Sequence, residues 1–452
     1  MKDLTWIILT NRTKIQKVDF MKQKSIRSVM LTLLVSFFLS VLAAQAEETR
    51  PLTVDGREFK IKGITYGVDF DASEIDAQMS EIRSLGANSI RTWGCGPETR
   101  AILDAAHKHS LKVMLGIWMR HGRPGAEGID HFNYLTDSEG KAEQKAQALK
   151  WVKTFKDHPA VLCWGVGNEV GLNIATEEEK KAYAVFLEEV VREIKQVDPV
   201  HAVASVSAWT LDVPLWTEHC PSIDIYGINV YGYGAGAILD ELNKLGARRP
   251  YVVTEFGPRG EWDAPIDKLG GKIEPGDAEK FETIAKGWED MIEKNYPECL
   301  GGYVFNYGNG FDHTGLWLSL KVQGAYRAVY WATRQAFTGE KPENKPAEIE
   351  HFFIAKQEDS KQVGEWVQVM VKFEDEEKDQ CLVSFAYNDR NLSWPDKGAV
   401  KVLESRPVAG KKNVYEFKVP EASGVLKIYA LVRDPLPNLS SATQSIRVGK
   451  KT

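Results

Sequence analysis

Two apolar stretches of this chain end in acids. Ala160-Val161-Leu162-Cys163-Trp164-Gly165-Val166-Gly167-Asn168-Glu169-Val170 begins as the kind of run a buried parallel strand makes and ends in an amide and a carboxylate. Pro250-Tyr251-Val252-Val253-Thr254-Glu255-Phe256-Gly257 does the same with a second glutamate. Two carboxylates delivered by separate strands can divide a reaction between them, one moving a proton while the other attacks carbon. Taken alone, the first stretch has a plainer reading, in which Asn168 caps the next helix and Glu169 is a solvated first-turn acid. The elements that carry the two acids decide whether they meet.

From residue 59 to about residue 340 short apolar runs alternate with longer amphipathic segments. Strands are expected at 60–66, 89–93, 112–118, 160–166, 202–208, 223–230, 251–254 and 302–305. Helices are expected at 73–85, 97–109, 138–156, 176–196, 235–245, 277–295 and 324–337, and the fifth crossover, around 211–219, is short and weakly periodic. Pro97 suits a first helical turn, Gly86 and Gly246 suit positions just past helix ends, and Asp157-His158-Pro159 closes the third helix. Eight strands and eight crossovers over about 280 residues predict a (β/α)₈ TIM barrel. The alternative is a doubly wound open sheet, but no G-x-G-x-x-G follows an early strand. Past the Pro- and Lys-rich stretch at 341–346, alternating runs at 366–373, 381–387, 399–403, 413–419, 424–432 and 444–448 predict a small all-β immunoglobulin-like sandwich. The expected domains are thus 1–46 (extension and signal peptide), 47–340 (barrel), 341–346 (linker) and 347–452 (sandwich).

In such a barrel the active site lies at the C-terminal ends of the strands. Strand four then presents Asn168 and Glu169, and strand seven presents Glu255, 86 residues further along the chain but across the barrel mouth. Facing carboxylates are what retaining glycoside hydrolysis requires, at roughly 5 to 5.5 Å separation. No G-x-S-x-G serine, phosphate loop or His-x-x-x-His pair competes for the site, so neither metal nor cofactor is expected.

Asn-Glu closing strand four and Glu closing strand seven resemble the signature of glycoside hydrolase clan A. The resemblance implies that Glu169 is the acid/base, Glu255 the nucleophile, and Asn168 the residue that holds the sugar 2-hydroxyl. Arg91, in Ser89-Ile90-Arg91-Thr92-Trp93, resembles the strand-two arginine that keeps the nucleophile ionised. Tyr231, in Asn229-Val230-Tyr231, resembles the tyrosine that hydrogen-bonds it, and His121 matches a position of a sugar-binding polar residue. Each has a plain alternative: a structural ion pair, a core tyrosine, a loop histidine. Within the clan, 59–67, 85–91 and Asp312-His313-Thr314-Gly315-Leu316-Trp317 look most like the catalytic barrel of family 2. The jelly-roll and sandwich domains usual before that barrel are not expected, and strand eight ends in Tyr303-Val304-Phe305-Asn306-Tyr307, where the clan usually has a Trp. The barrel also resembles exported β-glucan hydrolases and glucanosyltransferases of the clan. Tyr66, Trp93, Trp209, Tyr233, Phe305 and Trp317 are the aromatics expected to contact substrate, with core or rim packing as the alternative for each; Trp118 and Trp164, earlier in their strands, are expected in the core.

The expectation is therefore a retaining glycoside hydrolase acting on a β-linked glucan or oligosaccharide. The alternatives are a transglycosylase using the same residues and a non-catalytic carbohydrate-binding protein, which would not need Arg91 and Tyr231 beside both glutamates. Residues 347–452 are read as a structural or spacing module, with glycan binding through Trp366 and Trp394 as the alternative.

Charge and leader agree with an exported enzyme. Met21-Lys22-Gln23-Lys24-Ser25-Ile26-Arg27 is a positive segment, 29–42 is apolar, and Ala44-Gln45-Ala46 reads as a cleavage site, with translation expected to start at Met21. A membrane anchor is the alternative, though the apolar run is short for one. The expected location is periplasmic or extracellular, and no later stretch spans a bilayer. Seven of the 57 Lys/Arg and two of the 63 Asp/Glu fall within residues 1–46, so the remainder carries 50 and 61, a net charge near −11 that disfavours nucleic acid as a partner. The five cysteines are scattered without a C-x-x-C pair, which excludes a disulfide framework and a zinc site but leaves one disulfide open.

Overall fold

The computed structural model describes residues 52–67, 70–122, 131–342, 344–389 and 399–449; the leader and Trp394 lie outside them. Pro51–Thr452 form one compact unit.

Eight parallel strands close into a barrel: β1 (Ile61–Tyr66), β2 (Ser89–Arg91), β3 (Lys112–Ile117), β4 (Val161–Asn168), β5 (Ala202–Ala208), β6 (Ile225–Tyr231), β7 (Tyr251–Gly257) and β8 (Cys299–Tyr307), with β8 pairing β1. Strands β4, β7 and β8 are buried along their whole length, as strands sheathed by helices outside and filled by side chains inside must be. The crossover helices are α1 (Ile75–Ser84), α2 (Thr99–Lys108), α3 (Ser138–Phe155), α4 (Glu177–Val197), α5 (Val213–His219), α6 (Ile238–Lys244), α7 (Asp277–Gly287) and α8 (Ala328–Thr338). Helix α4 shows why these segments are helical. Thr176 caps it by accepting from Glu179 N at 3.2 Å, and Tyr183, Leu187, Val190, Val191 and Ile194 recur at helical spacing as its buried stripe. Each such aliphatic side chain contributes about 1.5–3 kcal/mol on burial.

Three helices differ from expectation, the one expected at 235–245 being 3₁₀ through Ala237 and α-helical only over Ile238–Lys244. The helix expected at 277–295 is α-helical only through Gly287, then widens over Trp288–Ile292 and tightens over Glu293–Asn295. The helix expected at 324–337 starts at Ala328, because Gly324, at φ +74°, turns a hairpin of Lys321–Val322 against Ala325–Tyr326 before it.

The barrel interior is stacked in layers. Ile61, Leu162, Ile225, Val252 and Leu300, near the strand starts, pack with Leu52, Val54 and Phe59 from the segment before β1. Above them the Tyr303 ring crosses the barrel, with its hydroxyl 3.0 Å from Ser89 Oγ. Gly63 makes that possible, since a Cβ there would lie 2.1 Å from the ring. Arg91, two residues beyond Ser89 on the same face of β2, occupies the next layer up.

After α8 come β9 (Glu348–Ile354), β10 (Trp366–Glu374), β11 (Leu382–Asn388), β12 (Lys401–Val402), β13 (Ser405–Pro407), β14 (Val414–Lys418), β15 (Gly424–Arg433) and β16 (Leu439–Val448). They form two four-stranded antiparallel sheets, ordered β9-β10-β14-β13 and β12-β11-β15-β16. Val367, Val369, Val371 and Phe417 of one share a core with Phe385, Leu426, Ile428 and Ile446 of the other. The tail also packs on the barrel: Ala386, Val400, Tyr429, Leu431 and Leu439 cluster with Leu316, Val322 and Ala325. Among the described residues all five cysteines are free thiols, and no helix is long and apolar enough to cross a membrane.

Candidate active site

Three strands carry an extra residue at the mouth of the barrel. Between β4 and β5 the pairing steps from Gly165–Ala204 to Asn168–Val206; between β6 and β7 it steps from Ile228–Val253 to Asn229–Glu255. Strand β8 does the same between Val304 and Tyr307, around the cis Phe305–Asn306 peptide. Such bulges re-aim the side chains that follow them, and two of them immediately precede the residues of interest. In β4 the extra residue includes Gly167 at φ +76°, where a Cβ would sit 2.4 Å from the Tyr183 hydroxyl. Glu169 itself has φ +50°, a left-handed conformation that a non-glycine residue adopts at a cost. Its backbone is held by Glu169 N donating to Val206 O at 2.9 Å and by Asn173 Nδ2 donating to Glu169 O at 3.1 Å.

The Glu255 carboxylate is buried, and its two oxygens accept from three donors. Arg91 Nη1 lies 3.0 Å and Trp93 Nε1 2.9 Å from Oε1, while the Tyr231 hydroxyl lies 2.7 Å from Oε2. These replace the water an ionised carboxylate loses on burial. Arg91 is fixed in turn by Thr254 O at 2.8 Å and Asn168 Oδ1 at 2.6 Å. His121, fully buried, lies with Nε2 2.8 Å from Asn168 O and its ring against Trp118, so it steadies the tip of β4.

Glu169 has a different environment. It is partly exposed at the mouth and accepts from Asn229 Nδ2 at 2.8 Å. Burial of the carboxyl and the nearby Glu255 charge push its pKa up to about 7, against the lowering effect of the Asn229 hydrogen bond and of Arg91. One carboxyl is thus wrapped in donors and the other is held near neutrality as an acid. Environments that separate two carboxyls in this way assign complementary roles.

Of the residues the sequence singled out, Asn168, Glu169, Glu255, Arg91, Tyr231, His121 and Trp93 come together here. Phe305 packs edge-on against Trp93 and Tyr231, with ring centroids 6.0 and 5.8 Å away. Trp209 and Tyr233 stand exposed on the loops after β5 and β6, outside these contacts. Tyr66 and Trp317 are buried. Tyr66 points out of the barrel, its hydroxyl donating to Gln78 of α1 at 2.5 Å, because β1 already turns Gly63 inward and side chains alternate. Trp317 lies behind Phe305 and donates from Nε1 to Arg259 O at 2.9 Å. The sequence reading missed Asn229, whose amide joins Asn168 Oδ1 (3.2 Å) to Glu169 and is itself oriented by Thr254 Oγ1 at 2.7 Å. Its signal was present: it stands two residues before Tyr231 and so shares a strand face with it. Trp262, half-exposed beside Tyr231 at 4.8 Å between centroids, was also missed, because it follows β7 in a single 3₁₀ turn too short to leave a periodic pattern.

A closed (β/α)₈ barrel with two unlike carboxyls at the C-terminal ends of β4 and β7 is the arrangement of a glycoside hydrolase barrel. Residues 49–314 match the model of the TIM barrel domain of glycosyl hydrolases family 2, and the chain belongs to that family. A β-glucuronidase from Streptococcus agalactiae is 21% identical over 285 residues, covering 56% of this chain and 43% of that protein. Among solved structures, a β-glucuronidase from Bacteroides uniformis is 16% identical with TM-score 0.46, covering 88% of this chain and 46% of that one. An endo-β-1,4-mannanase from Thermotoga petrophila is 14% identical with TM-score 0.43, covering 89% and 100%. The chain spans about half the length of the two glucuronidases.

Proposed function

We propose that this chain hydrolyses β-glycosides with retention of anomeric configuration, with Glu255 as nucleophile and Glu169 as acid/base. The observation that carries the reading is the contrast between the two carboxyls: Glu255 receives Arg91, Trp93 and Tyr231, whereas Glu169 is pushed up to about 7. Family membership supports the same chemistry.

In the first step Glu255 attacks the anomeric carbon while the protonated Glu169 gives its proton to the departing oxygen. The glycosyl ester that forms on Glu255 has no charge. One of the causes that raise Glu169 is then gone, so it becomes the stronger acid and its carboxylate form is available to take a proton from water. Water attacks the ester, Glu169 keeps the proton, and Glu255 leaves as the carboxylate. Asn168, fixed by Arg91 and Asn229, is placed in this reading to hold the sugar hydroxyl next to the reacting carbon. A β-linked oligosaccharide or glucan is the proposed substrate, and the exposed Trp209, Tyr233 and Trp262 offer faces on which further sugars can stack. The tail is read as an immunoglobulin-like sandwich, and the enzyme as exported after cleavage near Ala46.

The reading is tested by following aryl β-glycosides of the gluco, galacto and glucurono series by ¹H NMR in the first seconds of turnover. The β-anomer released first is the expected result; the α-anomer first would refute a double displacement.

A further inference from the structure

Strand β15 is covered on both faces. Leu426, Ile428, Ala430 and Val432 point into the core between the two tail sheets, while Tyr429 and Leu431 point to the barrel. On that second face, where an apolar residue would be expected, stands Lys427, which is 8% exposed. Burying an ammonium is costly unless it is paired, and here the pairing is shared. Glu274 Oε2 lies 3.5 Å from Lys427 Nζ, but Glu274 Oε1 already holds Lys280 Nζ at 2.6 Å. One carboxylate therefore serves two lysines. Glu261 is the other acid whose charge acts on Lys427, and burial still holds its ammonium below the usual lysine range.

The remaining partners of Lys427 are two rings. Its Nζ lies 4.1 Å from the centroid of Trp317 and 5.8 Å from that of Tyr429, both within the range of a cation–π contact. The nearer ring, Trp317, backs one wall of the candidate active site from behind Phe305. Trp317 clusters with Phe305, Ala264 and Leu318, and Trp93 and Tyr231 pack against this cluster. The latter two are two of the three donors to the oxygens of Glu255. Trp317 also ties to Arg259 O, four residues beyond Glu255 in the chain.

We propose that Lys427, supplied by the tail, is a positioning residue for Glu255: by clamping Trp317 it sets Phe305, and through Phe305 the Trp93 and Tyr231 hydrogen bonds that orient the carboxylate. The tail then supports the active-site wall from behind and is not a spacer. The inference rests on the reading of Glu255 as nucleophile only for its effect on rate; the geometric link is independent of it.

The test uses the full chain labelled with ¹⁵N at its tryptophan indoles. The Trp93 and Trp317 signals are assigned by Trp93→Phe and Trp317→Phe. Lys427→Met and Lys427→Gln remove the charge and keep most of the stem, so that either variant, if folded, decides. Val369→Ala, a cavity in the core between the tail sheets, controls for a general loss of stability. Lys427→Met is expected to shift the indole N–H signals of both Trp317 and Trp93, and to lower kcat on a turned-over aryl β-glycoside by roughly tenfold to a hundredfold with KM within about twofold. Val369→Ala is expected to lower Tm and leave both signals and kcat in place. A folded Lys427 variant in which Trp93 does not shift would overturn the proposal, whatever happens to Trp317 or to the rate. If the native chain turned over no aryl glycoside, that would count against the glycosidase reading, and the indole signals would still decide the positioning role.

Discussion

Asn229 Nδ2 stands 2.8 Å from Glu169 Oε1, a hydrogen bond from near the C-terminal end of β6 to the residue that follows β4. It favours the charged form of Glu169 and opposes the larger effect of burial. Asn229→Ala should therefore raise the Glu169 pKa further. The protonated acid would persist to higher pH, and the alkaline limb of kcat/KM should move up from about 7. The loss of this hydrogen bond should also lower the rate at the optimum by roughly tenfold. A pH–rate profile of the variant checks both; a limb that moved down would mean that another group sets it.

The same acid should matter in proportion to how much help the leaving group needs. Glu169→Ala should slow poor leaving groups, such as alkyl or sugar alcohols, by about 10²–10⁴-fold. Activated aryl leaving groups should suffer far less in the glycosylation step. A plot of log kcat/KM against leaving-group pKa should be steeper for the variant than for the parent; parallel lines would remove Glu169 from the acid role.

Holding an acid near neutrality has a consequence for folding. Glu169 ionises at about 7 in the folded chain, against the ordinary 4.5 unfolded, so between those values the folded state binds the extra proton. Stability from this group is present below 4.5 and is lost as pH rises towards 7. Glu169→Gln cannot ionise and escapes the loss. The variant should gain Tm relative to the parent at pH 8 and show a smaller gain at pH 4.5; an equal difference at both values would show that Glu169 is not perturbed by folding.

Much of this was legible in the sequence, because buried parallel strands leave uninterrupted apolar runs and the barrel rule then points to their ends. The strands run past the ends of their apolar runs. The expected strands stopped at residues 166 and 254, while β4 runs through Asn168 and β7 through Gly257, because a polar residue in the mouth breaks an apolar run without breaking the strand. The bulges at Gly167 and Thr254 leave no periodic trace, yet they aim the two glutamates. Side-chain direction was the other gap. Tyr66 could have been placed outside the barrel by its parity with Gly63, and Asn229 inside it by its parity with Tyr231. Nothing local could have joined Lys427 to Trp317, 110 residues apart, since only the packing of β15 on the barrel brings them together.

The central claim is that Glu255 is the nucleophile, and trapping it is the most direct test. The chain should be incubated with 2-deoxy-2-fluoro-β-glycosyl fluorides of the gluco, galacto and glucurono series, followed by intact mass measurement and peptide mapping. The account predicts a mass gain of one fluoroglycosyl group, carried on Glu255 within the peptide spanning Tyr251–Gly257, and no label in Glu255→Gln. A label on Glu169 or on any residue other than Glu255, formed with loss of activity, would contradict it.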